Sequence, residues 1–318
     1  MTQTTVLVKK EAKTNPKVGC EPNKRSVDEL IKFGVVNLDK PAGPTSHQVS
    51  DYVQRIVGIE KAGHSGSLDP RVTGLLPVAL DHATRISHVL LKGGKSYVGI
   101  LHLHNEVKEE QLREAIQKFR GKIMQLPPVK SAVKRELRQR TIYSFEILEI
   151  EERDILFSVD CEAGTYIRKL CHDLGQALGV GAHMADLRRV RVSSFTEEDA
   201  VTLQDLQDAV VFWKEENNDK FIRHCIKPAE RMLEHLAKVW VLDSAVESIC
   251  HGRDVGIPGV SKLTTFKKGQ MIAIMTLKNE LVALGNAMMD SAQVMKEERG
   301  IAVKTHKVFM APGVYGNV

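Results

Sequence analysis

Apolar positions in this chain follow two different periods. HQVSDYVQRIVGI places Val49, Val53, Ile56 and Val57 at helical spacing, and VKEEQLREAIQKFRG and TYIRKLCHDLGQALG do the same, the last closing at Gly179. KSYVGILHLHNEV alternates with period two, and TIYSFEILEIEER and ILFSVDCEAG read as paired strands. Before them, VDELIKFG predicts a short helix and GVVNLDKPAG a strand running into a turn. FWKEENNDKFIRH is polar enough for a surface excursion, and PAERMLEHL predicts a helix. Beyond Leu236, runs such as GQMIAIMTL, ELVALGNAMM and KVFMAPGVYG are separated by Gly, Asn and Pro, which predicts a small β-rich barrel with few helices. The pattern as a whole predicts an α+β fold, with an N-terminal extension over residues 1–33, a mixed and antiparallel-sheet domain over 34–236 and a small β-barrel over 237–318.

A chain of 318 residues with 42% hydrophobic content can bury two cores, which excludes a disordered or collagen-like protein. No apolar run approaches the roughly 18 residues of a membrane span, and MTQTTVLVKKEAK lacks the apolar stretch of a secretory signal, so no membrane partner and a cytoplasmic location are expected. Five scattered cysteines without a C-x-x-C pair argue against a disulfide framework and a structural zinc site. The net charge of +5 is too mild to name a partner, but its distribution says more. The extension carries Lys9, Lys10, Lys13, Lys17, Lys24 and Arg25. Lys130, Lys134, Arg135, Arg138 and Arg140 fall in eleven residues opposed by Glu136, and Arg188, Arg189 and Arg191 in four. Each cluster is either a solvated basic face or a phosphate contact; together with the basic arm they favour nucleic acid.

In HSGSLDPRVTGLLPVAL, Asp69 stands directly before Pro70 between glycine-bearing turns, so its carboxylate is presented on a constrained loop. Taken alone, such a string is ordinarily a turn whose Asp caps backbone N–H groups. Arg168 reads as a surface ion pair or, beside Asp69, as the guanidinium that keeps a nucleophilic carboxylate charged and aimed. Tyr97 is ordinary strand core, or an aromatic able to stack on a base and handle a proton. His102 and His104 share a strand face without a nearby third ligand in the sequence, so no metal is expected. Gly179 and Gly181 follow a helix rather than a strand and lack the third glycine of a dinucleotide fingerprint; a phosphate loop and a nucleophile elbow are also missing, so no cofactor is expected.

Taken together, GVVNLDKPAGPTSH, HSGSLDPRVTG, GKSYV and GTYIRKL resemble, in order, the four motifs of the TruB-type pseudouridine synthases, and within them the archaeal dyskerin-like branch. The resemblance implies that Asp69 is the nucleophile, Tyr97 the active-site tyrosine and Arg168 the arginine paired with the aspartate. It places His47 near the substrate RNA, and Lys40, His64, Tyr166 and Leu187 more loosely around the pocket. Lys130, Lys134, Arg135, Arg138, Arg188 and Arg189 then become RNA contacts. The C-terminal segment resembles a PUA RNA-binding barrel, onto which the N-terminal arm packs in the dyskerin-like group. The implied activity is isomerisation of rRNA uridines under an H/ACA guide RNA, without a cofactor or metal. The implied partners are three small proteins: a zinc-ribbon nucleolar type, a glycine-arginine-rich type and a kink-turn-binding ribosomal type. Guide-independent modification of the TΨC loop of tRNA and a non-catalytic RNA-binding scaffold are the alternatives.

Overall fold

The computed structural model describes residues 5–127 and 134–316. It divides into two compact units, Ile31–Met232 and Met1–Leu30 with Leu233–Val318. The chain starts with strand β1 (Val6–Val8) and helix α1 (Val27–Lys32).

Within Ile31–Met232, and among the described residues, the strands form one sheet of ten. They are β2 (Gly34–Lys40), β3 (Ala62–His64), β4 (Thr73–Leu80), β5 (Lys95–Leu103), β6 (Gly121–Gln125), β7 (Arg138–Glu151), β8 (Asp154–Cys161), β9 (Ala182–Val192), β10 (Phe195–Thr196) and β11 (Ile226–Pro228). The main path runs β11-β2-β4-β9-β5-β8-β7-β6, with β3 beside β4 and β10 beside β9. β4 and β9 are parallel, whereas β9 and β5 are antiparallel. β4 is apolar along its length because it is central and buried on both faces, while β5 alternates strictly because one face is only half covered.

Helices α2 (Ser46–Val57), α3 (His88–Leu91), α4 (Glu109–Lys118), α5 (Ile167–Ala177), α6 (Leu203–Glu216) and α7 (Lys220–Cys225) belong to this unit. Thr45 and Gln48 form a reciprocal cap at the start of α2, Gly58 ends it in the left-handed region, and Val49, Val53 and Val57 supply its buried stripe. The core of the unit joins Leu101, Phe145, Phe157, Leu170 and Leu174.

The other unit holds β12 (Ala237–Val241), β13 (Val255–Gly256), β14 (Val260–Thr264), β15 (Met271–Met275), β16 (Leu281–Ala287) and β17 (Ile301–Val308), with α8 (Asp243–Cys250) and α9 (Ser291–Lys296). With β1 they form a seven-stranded sheet in the order β1-β14-β12-β15-β16-β17-β13. β1 lies antiparallel to β14, Val6 opposite Thr264 and Val8 opposite Lys262.

The α+β class matches the expectation; two local readings do not. PAERMLEHL is a tight 3-10 turn over Ala229–Leu233 rather than a helix. FWKEENNDKFIRH lies largely on the surface, but as the end of α6 and most of α7 rather than an irregular excursion, split where Asn217 turns left-handed at φ 52°, and Phe212 and Phe221 pack ring to ring at 5.1 Å across the split.

Candidate active site

Asp69 lies on the loop from β3 to β4, and that loop is pinned on both sides of it. Lys40, at the end of β2, is fully buried, and its ammonium donates to the carbonyls of Pro41, Pro44 and Pro70 at 2.8, 3.0 and 3.0 Å. The Gly43 N–H also reaches Pro70 O, at 2.9 Å. On the other side, the Leu68 N–H donates to Ser46 Oγ at 2.8 Å, and the Ser46 hydroxyl donates to Leu68 O at 3.2 Å. The Val72 N–H closes a turn on Asp69 O at 3.0 Å. The segment is therefore a turn, as its composition says, and the turn leaves the Asp69 carboxylate half exposed.

Arg168 pairs with that carboxylate through Nη2 and Oδ2. It stands in the first turn of α5, where Ile167, Leu170, Cys171 and Leu174 point into the core and leave the guanidinium outside. Gln125, at the end of β6 and buried, fixes where this helix begins: it accepts from the Tyr166 N–H at 3.0 Å and donates to Tyr166 O at 3.2 Å. Tyr97, on β5, is 8% exposed and belongs to one core cluster with Leu68 and Val72, which flank Asp69, with Ile167, before Arg168, and with Leu187 on β9. Packing thus ties the loop, the tyrosine strand and the start of α5 into one core. Burial pushes the Tyr97 phenol up, against the opposing pull of the Arg189 charge. His47, exposed at the start of α2, meets the half-buried His64 edge to face at 5.9 Å. Burial, then the charges of His47 and Arg189, lower the His64 pKa.

The structure corrects several of the looser readings. Lys40 does not face a pocket, because three carbonyls take its ammonium inside the fold. Arg188 is not a free phosphate contact: Asp39 holds it through two bonds of 3.0 and 2.8 Å, and Glu197 through a third of 2.7 Å. Arg189 is not on the surface at all, being 1% exposed, with its guanidinium turned inward onto backbone carbonyls. Arg191 reaches Asp160 at 3.3 Å, so each arginine of the triplet has partners within the protein. Lys134 and Arg135 are exposed, and Arg138 and Lys134 share Glu136 at 3.3 and 3.2 Å. Lys130 lies outside the described residues.

Sequence spacing also missed His183, whose ring lies 5.2 Å from those of both His102 and His104. In this cluster His102 is tied to Asp154 at 2.6 Å, and His104 and His183 share a hydrogen bond of 3.0 Å. Among the described residues no group of three or more such side chains is arranged to hold a metal ion, and no helix is long and apolar enough to cross a membrane. Ser46 and Gln125 were missed as well. Ser46 lies within the motif PTSH and could have been found there, whereas nothing near Gln125 announces its role.

Asp69, Tyr97 and Arg168 thus stand on a loop, a strand and a helix tied to one mixed sheet, and the chain carries a second unit with a sheet of its own. Family models agree segment by segment. A DKCLD (NUC011) domain matches residues 1–50, and the N-terminal domain of TruB family pseudouridylate synthases matches 54–111 and 100–167. The tRNA pseudouridylate synthase B C-terminal domain matches 168–234, and a PUA domain 237–309. A probable tRNA pseudouridine synthase B of Methanothermobacter thermautotrophicus is 53% identical over 96% of this chain and 95% of its own. One from Pyrococcus furiosus is 53% identical over 96% and 91%. Among solved structures, a chain of a Cbf5-Nop10-Gar1 complex is 52% identical, with a TM-score of 0.95 and coverage of 99% of this chain and 97% of that one. A chain of an H/ACA RNP bound to a substrate RNA containing 2′-deoxyuridine is 50% identical, with a TM-score of 0.93 and the same coverage. The chain belongs to the TruB family of pseudouridine synthases.

Proposed function

We propose that this protein is the catalytic subunit of an H/ACA guide-RNA particle and converts chosen uridines of ribosomal RNA to pseudouridine. The observation that carries the reading is the half-exposed Asp69–Arg168 pair on a doubly pinned loop. It occurs in a chain that follows the Cbf5-Nop10-Gar1 chain at 52% identity over 99% of its length. The reaction breaks the bond from ribose C1′ to uracil N1 and forms one from C1′ to C5. A proton leaves C5 and another is gained at N1, so atoms and electrons balance without an oxidant, a reductant or water. A single carboxylate nucleophile suffices for this, whereas glycoside hydrolysis uses a second carboxylate to activate water.

In this reading Asp69 attacks, Arg168 orients it, and Tyr97 stacks on the base and handles a proton. His47, His64, Tyr166 and Leu187 surround the extruded uridine, and Lys134 and Arg135 meet RNA phosphates. Residues 34–236 perform the chemistry, the barrel over 237–318 grips the RNA, and the arm over 1–33 completes that barrel. Guide pairing chooses the uridine and presents it unpaired, which lowers the cost of extruding it by a few kcal/mol. Nop10- and Gar1-type proteins and a kink-turn binder complete the particle, which works in the cytoplasm.

The test is uridine-to-pseudouridine conversion by the purified protein with and without guide RNA and partners, comparing wild type with Asp69→Asn. Guide-dependent conversion that falls by about a thousandfold or more in the variant, with RNA binding retained, is the expected result. The curated relatives' designation as tRNA pseudouridine synthases favours a second activity, guide-free conversion of the tRNA TΨC loop; equal rates on tRNA without guide would overturn the guided reading. Conversion that survives Asp69→Asn would overturn the assignment of the nucleophile, and no conversion under any condition would leave a scaffold.

A further inference from the structure

Gln125, at the end of β6, is 2% exposed and neutral, and the chemistry above gives it no part. Both ends of its amide serve one residue: Oε1 accepts from the Tyr166 N–H at 3.0 Å and Nε2 donates to Tyr166 O at 3.2 Å. An amide that accepts from and donates to the same backbone acts as a neighbouring strand would, and fixes that residue in two directions at once. Tyr166 is the residue before α5, its carbonyl accepts the first helical bond from the Leu170 N–H at 2.9 Å, and its side chain gives the helix no cap. Arg168 follows two residues later.

The strand beside β6 holds the approach to α5 at two further points. On β7, Arg140 Nε donates to Gly164 O at 3.1 Å. The Thr141 N–H donates to Glu162 Oε2 at 3.0 Å, and the Glu162 N–H to Thr141 O at 2.8 Å. β6 and β7 are themselves in register, Gln125 opposite Arg138 and Gly121 opposite Ile142. The turn into α5 is thus laced to this pair of strands at Glu162, Gly164 and Tyr166.

The Asp69–Arg168 pair does not set its own geometry. Both side chains are half exposed, and a solvated ion pair is too weak to place the elements that carry it. Ile167, Leu170, Cys171 and Leu174 hold α5 against the core, but apolar burial has no direction and resists a slide along the helix axis less well than hydrogen bonds do. The two bonds to Tyr166 supply that direction.

We propose that Gln125 is a positioning residue for the isomerisation: by holding the backbone of Tyr166 at both its N–H and its carbonyl it sets where α5 begins, and with it the point from which Arg168 reaches Asp69. It acts through the helix and not on the reacting atoms. This rests on the reading of the site as pseudouridine-forming.

The experiment is a double-mutant cycle in the guided particle, with single-turnover conversion and RNA affinity measured for wild type, Gln125→Met, Arg168→Lys and the double variant. Gln125→Met keeps the length and bulk of the side chain and loses both bonds. It should slow conversion about ten- to a hundredfold, the scale of a displaced catalytic group, while RNA affinity stays within about twofold. In the Arg168→Lys background the same change should cost less than about threefold, because the guanidinium it places is gone. A Gln125→Met rate within about twofold of wild type, equal costs in the two backgrounds, or a loss confined to RNA affinity would overturn the proposal. A wild type that forms no pseudouridine would overturn the underlying reading instead, and is seen without any variant. Should Gln125→Met fail to fold, Gln125→Asn carries the test: it keeps the amide but is one methylene too short to hold both atoms. It should slow conversion at least about fivefold with RNA affinity kept, and a wild-type rate in that variant would overturn the proposal.

Discussion

Lys95 bears a charge where water is scarce. It is 5% exposed, and its ammonium donates to the carbonyls of Leu90, Leu91 and Gly93. Burial first, then the charge of Arg189, bring its pKa down to about 8 from the usual 10.5. Between those values the folded protein binds fewer protons at this site than the unfolded chain, so stability should rise with pH from about 8 to about 10.5, by at most about 1.4 kcal/mol per unit. Urea midpoints of wild type and Lys95→Met across that window check the sign; the gain should be present in wild type and absent from the variant. The thiols make a second residue-scale expectation. Burial pushes Cys161 and Cys171 up to about 12, and Cys225 and Cys250 to about 11. Cys20 alone among the cysteines is not buried. A thiol reagent at neutral pH should therefore modify one cysteine rapidly in the native protein and all five after unfolding. At this scale the sequence made legible the residues proposed to act in the reaction, because Asp69, Tyr97 and Arg168 each sit in a motif. It misplaced those that act on backbone: a lysine or arginine code says nothing of which carbonyls it will face, and Lys40 and Arg189 read as RNA contacts when both are internal clamps.

Elements set how closely these residues approach. β4 can lie against β9 because Gly74 has no side chain: it sits at φ 99°, and a Cβ there would come within 2.3 Å of Arg189 O. Gly74→Ala should push apart the two strands that carry the catalytic loop and Arg189, at a cost of about 3 kcal/mol or more, and remove most of the conversion activity. Thermal unfolding together with single-turnover rates tests this. Regular elements were legible wherever one face met the core, as in α2 with its valine stripe and β5 with its alternation. Composition failed where chain geometry decided instead. Asn217, turning left-handed, lets a polar stretch fold back as two packed helices, and the tight turn at Ala229–Leu233 carries the apolar residues of a helix without its length.

Each of the two units has its own core, and in one of them a buried carboxylate joins distant parts of the chain. Glu280, 4% exposed, accepts from the Tyr315 hydroxyl at 2.5 Å, from Thr276 at 3.0 Å and from the Cys20 N–H at 2.9 Å. Asp243 accepts from the Asn15 N–H at 2.7 Å and from the Thr14 hydroxyl. Tyr315→Phe leaves the buried carboxylate short of one donor and should cost about 1–3 kcal/mol. In calorimetry it should lower the transition of the barrel unit and spare that of the catalytic unit. A basic, solvated N-terminal stretch was legible from composition; that it supplies a strand to a sheet built mostly after residue 236 follows from tertiary pairing, which no local pattern announces.

The β1–β14 pairing also fixes an order of events during synthesis. Residues 31–232 emerge from the ribosome with everything their sheet requires and can close while the barrel strands are still untranslated. β1, made before them, waits with its backbone unpaired until Val260–Thr264 appears. A nascent chain halted between the two segments would display a finished catalytic unit and an open strand edge, the kind of surface on which chaperones and aggregation both act. The barrel unit is thus completed only after the other, from stretches on either side of it in the chain.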